Sequence, residues 1–158
     1  MMARYNAWQN KEIRGVVETM DEDALQKDRG AFFGSIFATL NHILWADWFW
    51  FYRLGLGPRP QVAPKTHLAA TPTIAVWAAE RFQMDGRISE WARGVKALDL
   101  TGAVVWRSAL KGIDMTNSRA ECIMHMFNHQ THHRGQVHAM LTAAGHKTQD
   151  SDLVFMDV

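Results

Sequence analysis

The most apolar run of this sequence, ILWADWFWFYRL at residues 43–54, sets the first constraint on the fold. It spans only twelve residues and contains Asp47, whereas a helix that crosses a bilayer needs about 20 predominantly apolar residues. The run therefore predicts a buried helix rather than a membrane span. It belongs to a longer helical segment from Phe32 to about Leu54, which the glycines and prolines of GLGPRP end.

Two helices are predicted on either side of this segment. Residues 3–20 carry apolar side chains at helical spacing. After an irregular connection, Thr71 or Thr73 caps a further helix, with Pro72 near its first turn. The apolar set predicted for that helix is Ile74, Trp77, Phe82, Ile88, Trp91, Val95 and Leu98.

The last helix has the clearest boundaries in the sequence. Ser118 and Glu121 form a capping box, so the helix starts near Arg119, and Gly145 suits its C-terminal end. Residues 20–30 are expected to form a loop or a short turn of helix. Residues 100–117, LTGAVVWRSALKGIDMTN, are expected to be extended or to form a small hairpin.

Four helices joined by long connections predict an all-α fold, an antiparallel four-helix bundle. A chain of 158 residues fits one domain, taken here as residues 1–158. Lysine and arginine total 17 against 16 acidic residues, without the basic stripe typical of a nucleic-acid-binding protein. The single cysteine, Cys122, excludes an intrachain disulfide and fits a reducing compartment. The N-terminal segment lacks the apolar core of a secretory signal, so we expect a soluble cytoplasmic protein without nucleic-acid or membrane partners.

Five histidines fall within the fourteen residues HMFNHQTHHRGQVH, at positions 125–138. On a helix that turns by about 100° per residue, His129 and His133 lie one above the other on the same side. His125 lies one turn below them, His132 lies beside them, and His138 points to the opposite side. The sequence therefore predicts a stripe of imidazoles along one face of the last helix.

An imidazole pair four residues apart can direct both nitrogens at one metal ion, about 2.0–2.1 Å away. A third ligand has to come from another helix, and the apolar second helix offers His42. Three histidines leave positions open for water or substrate, as catalytic rather than structural zinc sites do. Two alternatives stay open, because such a pair is often only a solvated face and His42 alone can be a hydrogen-bonded core histidine. His67, His138 and His146 are given no role.

Other metal-site designs fit the sequence poorly. It contains no Glu-x-x-His, the motif of di-iron carboxylate bundles, and no His-Glu-x-x-His, the motif of zincin proteases. A single cysteine excludes a multi-cysteine zinc module. Cys122 itself is expected to be a buried core thiol rather than a nucleophile.

Three segments of this chain resemble the DinB family. They are ARYNAWQNKEI, DRGAFFGSIFATLNHILWADWFW and HMFNHQTHHRGQVHAMLTAAG, and together the resemblance covers nearly the whole length. It implies a four-helix bundle, usually a homodimer, that holds a divalent metal such as zinc or nickel on three histidines. Carried over by position, these ligands are His42, His129 and His133. Bundles similar to this family include S-transferases and isomerases that use a low-molecular-weight thiol, bacillithiol or mycothiol.

These observations lead to one functional hypothesis and two alternatives. The first is a metal-dependent transferase of the thiol S-transferase type acting on a small molecule, in which the metal favours the thiolate. The alternatives are a metal-dependent hydrolase and a non-catalytic, metal-binding stress-response dimer. Metal binding is expected to weaken as the pH falls toward the imidazole pKa near 6.5. The aromatic excess of WADWFWFY suggests that the dimer forms through helix faces.

Four other residues near the histidines are given secondary roles. Asp47 lies about 140° from His42 around their helix and is not expected to act as a base. Gln136 is expected to hydrogen-bond a metal-binding histidine. Arg134 is expected to tie helices together, and Gly135 to permit close approach of a neighbouring helix.

Overall fold

Four long helices and a β-hairpin are the main elements of the described part of the chain. The computed structural model describes residues 1–108 and 111–156. Its regular elements are the helices α1 (Met2–Val17), α2 (Glu22–Gln26), α3 (Ile36–Arg53), α4 (Ile74–Gly94) and α5 (Arg119–Ala143) and the antiparallel strands β1 (Ala103–Arg107) and β2 (Asp114–Ser118). Short 3-10 helices follow at Pro64–Ala69, Ala97–Leu100 and Leu153–Phe155. The predicted all-α fold is confirmed, with α2 as the short turn of helix expected after α1.

The long helices form a bundle in which α1 and α3 each contact both α4 and α5. The helices α3 and α5 run antiparallel, because the Leu54 carbonyl at the end of α3 accepts a hydrogen bond from Arg119 at the start of α5. The helices α3 and α4 run in the same direction, since Trp77 donates to the Leu40 carbonyl early in both and Phe51 packs against Trp91 late in both. Residues 54–73 lead the chain from the end of α3 back to the level of its start, so that α4 can run parallel to α3.

Local capping chemistry sets where the helices begin. The helix α3 starts at Ile36 rather than at Phe32, because Gly34 has a φ of 76° and the Ser35 side chain accepts from the Ala38 amide. Such a positive φ is outside helical geometry and favours glycine. The capping box of Ser118 at the start of α5 is present as predicted.

Thr73, not Thr71, caps α4, and its side chain accepts from the Val76 amide. The Thr71 hydroxyl instead donates to Asn41 Oδ1 at 2.7 Å. The predicted apolar set of α4 is wrong at Phe82 and Leu98, which are 67% and 79% exposed. The buried face of α4 runs through Trp77, Ala78, Arg81, Met84 and Ile88.

The expected hairpin is confirmed in β1 and β2, although Ala109 and Leu110 of that segment lie outside the described residues. Trp106 of β1 packs edge-on against Trp50 of α3, with ring centroids 5.4 Å apart. This contact closes one end of the bundle over the last turn of α3.

Asp47 is almost fully buried within the aromatic run, where a carboxylate needs a partner. Arg81 of α4 donates to Asp47 Oδ2 at 2.5 Å and forms an ion pair with Asp85, whose Oδ1 lies 2.9 Å from Arg81 Nη2. Asn10 of α1 also donates to Asp85, at 2.9 Å. Burial raises the pKa of Asp47 to about 6 despite the opposing effect of the Arg81 charge. The network links α1, α3 and α4 through polar contacts inside the bundle.

The aromatic side chains of α3 are largely covered within a single chain. Trp50 and Phe51 are buried, and Trp45, Trp48 and Phe49 are partly buried. This coverage removes most of the exposed aromatic surface on which the dimer hypothesis was based. The homodimer therefore stays a prediction of the family resemblance. No helix in residues 1–108 and 111–156 is both long and apolar enough to cross a bilayer.

Replacing Arg81 by methionine should strongly destabilise the fold. It leaves Asp47 buried without its partner, a change that costs about 3–5 kcal/mol in comparable buried pairs. The matched control on the same helix is Arg93→Met, which removes an exposed pair with Glu90 and should cost less than about 1 kcal/mol. Urea unfolding monitored by circular dichroism measures both values. Similar losses in the two variants would show that the buried pair does not hold α3 against α4.

Candidate metal centre

The antiparallel packing of α3 on α5 brings three histidines to one point. His42 and His129 face each other with their Nε2 atoms 3.0 Å apart. Together with His133 they offer three nitrogen atoms that all lie within 4.8 Å of one another. Ligands that share one ion at about 2.1 Å in tetrahedral geometry lie roughly 3.3 Å apart. The arrangement is compatible with coordination of a single metal ion after small side-chain adjustments.

Gln136 fixes the orientation of one of these imidazoles. Its Oε1 lies 2.7 Å from His133 Nδ1, one turn of α5 away. Because the amide oxygen only accepts, Nδ1 carries the proton and the His133 Nε2 lone pair stays free. The hydrogen bond expected of Gln136 is therefore present. The Nδ1 atoms of His42 and His129 are buried and have no hydrogen-bond partner within the described chain.

All three imidazoles are held in the neutral form that binds metals. Burial and then the neighbouring histidines lower the pKa of His42 and of His129 to about 3. Burial also lowers the pKa of His133, and its hydrogen bond to Gln136 partly opposes that effect. Protonation of the two most perturbed imidazoles should therefore begin well below the pH of 6.5 expected from the sequence. His42 and His129 keep part of their surface exposed, so the cluster can be reached from solvent.

His125 and His132 flank the cluster without belonging to it. The His125 ring lies 5.5 Å from that of His129 and packs on Trp50, and the His132 ring lies 4.8 Å from that of His133. Both side chains are exposed on α5. The structure thus brings together the three predicted ligands and places the two additional histidines at the border.

Two aromatic residues beside the cluster were missed by the sequence analysis. Phe33, in the loop before α3, stacks on His42 with ring centroids 4.0 Å apart and lies 5.3 Å from His133. His67, in the 3-10 helix Pro64–Ala69, lies 5.0 Å from both His42 and Trp45. Both come from irregular segments, where helical periodicity gives no information about direction.

The structure agrees with the expectations for Arg134, Asp47 and Cys122 and differs from the expectation for Gly135. Arg134 ties α5 to α1, donating to Asn6 Oδ1 at 2.6 Å. Asp47 lies in the network with Arg81, away from the imidazoles. Cys122 is buried as expected, and burial raises the pKa of its thiol. Gly135 does not permit close helix packing, because a Cβ there would meet no atom within 4 Å.

The stability of the metal-free protein should fall in acid because of these imidazoles. Folded His129 has a pKa of about 3, whereas an unfolded imidazole titrates near 6.5. Its contribution is fully present above about pH 6.5 and is lost as the pH falls toward 3. Replacing His129 by glutamine should reduce the loss of unfolding free energy between about pH 7 and pH 5. The measurement is urea unfolding with a chelator present.

The control for this experiment is His132→Gln, which removes an exposed imidazole from the same helix. It should leave the pH dependence of the wild type intact. An acid response of His129→Gln identical to that of the wild type would contradict the effect of burial on this imidazole.

Comparisons with known proteins agree with this fold. A DinB-like protein from Bacillus cereus is similar in structure, with a TM-score of 0.67 and 16% sequence identity over 90% of each chain. At that identity the likeness supports the fold alone. No match was found among curated proteins. The family model of the DinB family matches residues 1–157, and the chain therefore belongs to the DinB family.

Proposed function

We propose that this protein is a metal-dependent enzyme in which His42, His129 and His133 hold one divalent cation, zinc or nickel. The observation that carries the proposal is the convergence of three neutral imidazoles from two helices on a partly exposed point. Three neutral imidazoles suit a metal cation, because each can donate the lone pair of its unprotonated ring nitrogen to the ion. Three protein ligands also leave coordination positions free, as in catalytic zinc sites.

The favoured reaction is transfer of a small molecule to a low-molecular-weight thiol. When bound, a divalent cation stabilises negative charge on a neighbouring donor atom, whether a thiol sulfur or a water oxygen. The chain itself supplies no accessible thiol, since Cys122 is buried. The nucleophile is therefore expected to come from a cofactor.

The remaining residues orient and shield this centre. Gln136 holds His133 in the tautomer with a free Nε2. Phe33 covers His42 and His133 from the loop before α3 and limits the access of water to that side. A partly water-excluded site favours thiol chemistry over hydrolysis, which is why the transferase is placed before the hydrolase.

Single alanine variants of the three histidines should lose the metal. Each removes one of three ligands, so zinc binding should weaken by orders of magnitude, while His132→Ala should bind as the wild type does. Gln136→Ala removes only the supporting hydrogen bond and should weaken binding by about 10- to 100-fold. Competition with a chromophoric chelator gives the affinities. Loss of zinc in His132→Ala but not in His133→Ala would reverse the ligand assignment.

The reaction itself can be tested with thiols and electrophiles. The zinc- or nickel-loaded protein is mixed with a small electrophile, with and without a low-molecular-weight thiol such as bacillithiol or mycothiol. We expect thiol-dependent turnover that survives in Cys122→Ser, because the thiol comes from the cofactor. The same turnover should disappear in His42→Ala, because this variant lacks a proposed metal ligand. Turnover without thiol would identify a hydrolase. Absence of turnover across a broad panel, with metal bound, would favour the non-catalytic alternative.

A further inference from the structure

A cavity of about 230 Å³ lies on the opposite side of α5 from the imidazole cluster. Its walls are one face of α1, one face of α5 and residues 148–151 near the C-terminus; we call it the α1/α5 cavity. Tyr5 donates to the Ser151 carbonyl at 2.6 Å, and Thr148 Oγ1 lies 3.3 Å from His138 Nε2. These contacts hold the C-terminal segment over the cavity.

Arg134, in the wall of the cavity, is a buried cation with only neutral hydrogen-bond partners. Its side chain donates to Gln130 Oε1 at 3.0 Å, to Asn6 Oδ1 at 2.6 Å and to Thr131 Oγ1 at 3.4 Å. Within residues 1–108 and 111–156 no carboxylate lies within ion-pair distance of it. A guanidinium has five N–H donors, and a buried charge without a counter-ion is costly. The cavity wall thus offers a cation suited to an anionic ligand.

A second polar group in the wall also lacks a partner. Gln9 of α1 is more than nine-tenths buried, and its Nε2 has no hydrogen-bond acceptor in the described part of the chain. Buried amide donors are nearly always paired in native proteins. That Nε2 atom is itself shielded from solvent, so Gln9 forms a closed part of the wall and leaves Arg134 as the group that meets an anionic ligand.

Glu12 gives the cavity a charge of the opposite sign. It lies in the wall on α1, is partly exposed and has no ion pair or side-chain hydrogen bond among the described residues. Asn6, which binds Arg134, precedes Glu12 by six residues, which corresponds to roughly 9 Å along a helix. The cavity therefore has a cationic region and an anionic region separated along α1.

Gly135 keeps the space between these walls open. It lies on the cavity face of α5, and a Cβ there would meet nothing within 4 Å. Glycine is less favourable than alanine inside a helix, so an interior glycine usually has a packing reason. Gly135 is exposed, and no described protein atom outside its own helix occupies the space beside it, so a larger side chain can be introduced there without a clash.

We propose that the α1/α5 cavity binds a small zwitterion of the ω-amino acid class, with its carboxylate on Arg134 and its ammonium group on Glu12. The volume corresponds to roughly eight water molecules at about 30 Å³ each, which suits a short-chain compound. The site is separate from the imidazole cluster, and its occupancy does not depend on the metal.

The test uses three probes of equal chain length: 4-aminobutyrate, butyrate, which lacks the ammonium group, and butylamine, which lacks the carboxylate. Isothermal titration of the full chain should show that 4-aminobutyrate binds most tightly. Glu12→Gln should reduce its affinity by up to about fivefold, because a partly exposed ion pair is weak. The same variant should leave butyrate binding unchanged.

Blocking the cavity provides the second arm. Gly135→Leu places a side chain in the open space and should abolish binding of 4-aminobutyrate while circular dichroism shows an intact fold. Gly86→Leu is the matched control, since Gly86 is also inside a long helix with nothing within 4 Å of its Cβ and does not line this cavity. Unchanged binding in folded Gly135→Leu would overturn the proposal. So would equal binding of the three probes, or no binding of 4-aminobutyrate to the wild type.

Discussion

The buried ion pair between Asp47 and Arg81 is the constraint on which the rest of the bundle depends. A carboxylate in the middle of an aromatic helix cannot stay charged inside the protein without a cation beside it. The pair therefore fixes the rotation of α3 against α4. Since Asp85 also accepts from Asn10, the same network positions α1, and Arg134 joins α5 to α1 through Asn6.

Fixing the rotation of α3 also determines where His42 lies. With Asp47 on the side of α4, His42 falls on the side of α5, five residues and about 140° away. The two polar side chains on these sides of α3, Asp47 and His42, have different partners inside the bundle. Asp47 pairs with a guanidinium, whereas His42 lies beside two other imidazoles. Burial lowers the pKa values of His42 and His129, which keeps these imidazoles neutral. Neutral donors that face one another are stabilised by a shared cation.

The sequence predicted the parts of the site that lie on helices. His129 and His133 follow from their spacing of four residues, and the start of α5 follows from Ser118 and Glu121. His42 follows from the need for a third ligand on another helix, and the family resemblance points to the same residue. Phe33 could not be placed, because its direction depends on the turn at Gly34, whose positive φ is not visible in a periodic pattern. Similarly, Phe82 has an apolar side chain at a helical position, but the arginine one residue before it occupies the interior.

The parallel arrangement of α3 and α4 has a consequence for the order of assembly. His42 and His129 are 87 residues apart in sequence, and α4 lies in the stretch of chain between them. Contacts between such distant segments form slowly, because the entropy of closing the intervening chain is lost first. His129 and His133, in contrast, lie on one helix, so in the proposed metal-bound form they would be the first two of the three ligands to come together. Completion of the triad then coincides with the docking of α3 on α5, so a metal ion captured early would draw the non-local contacts of the bundle together.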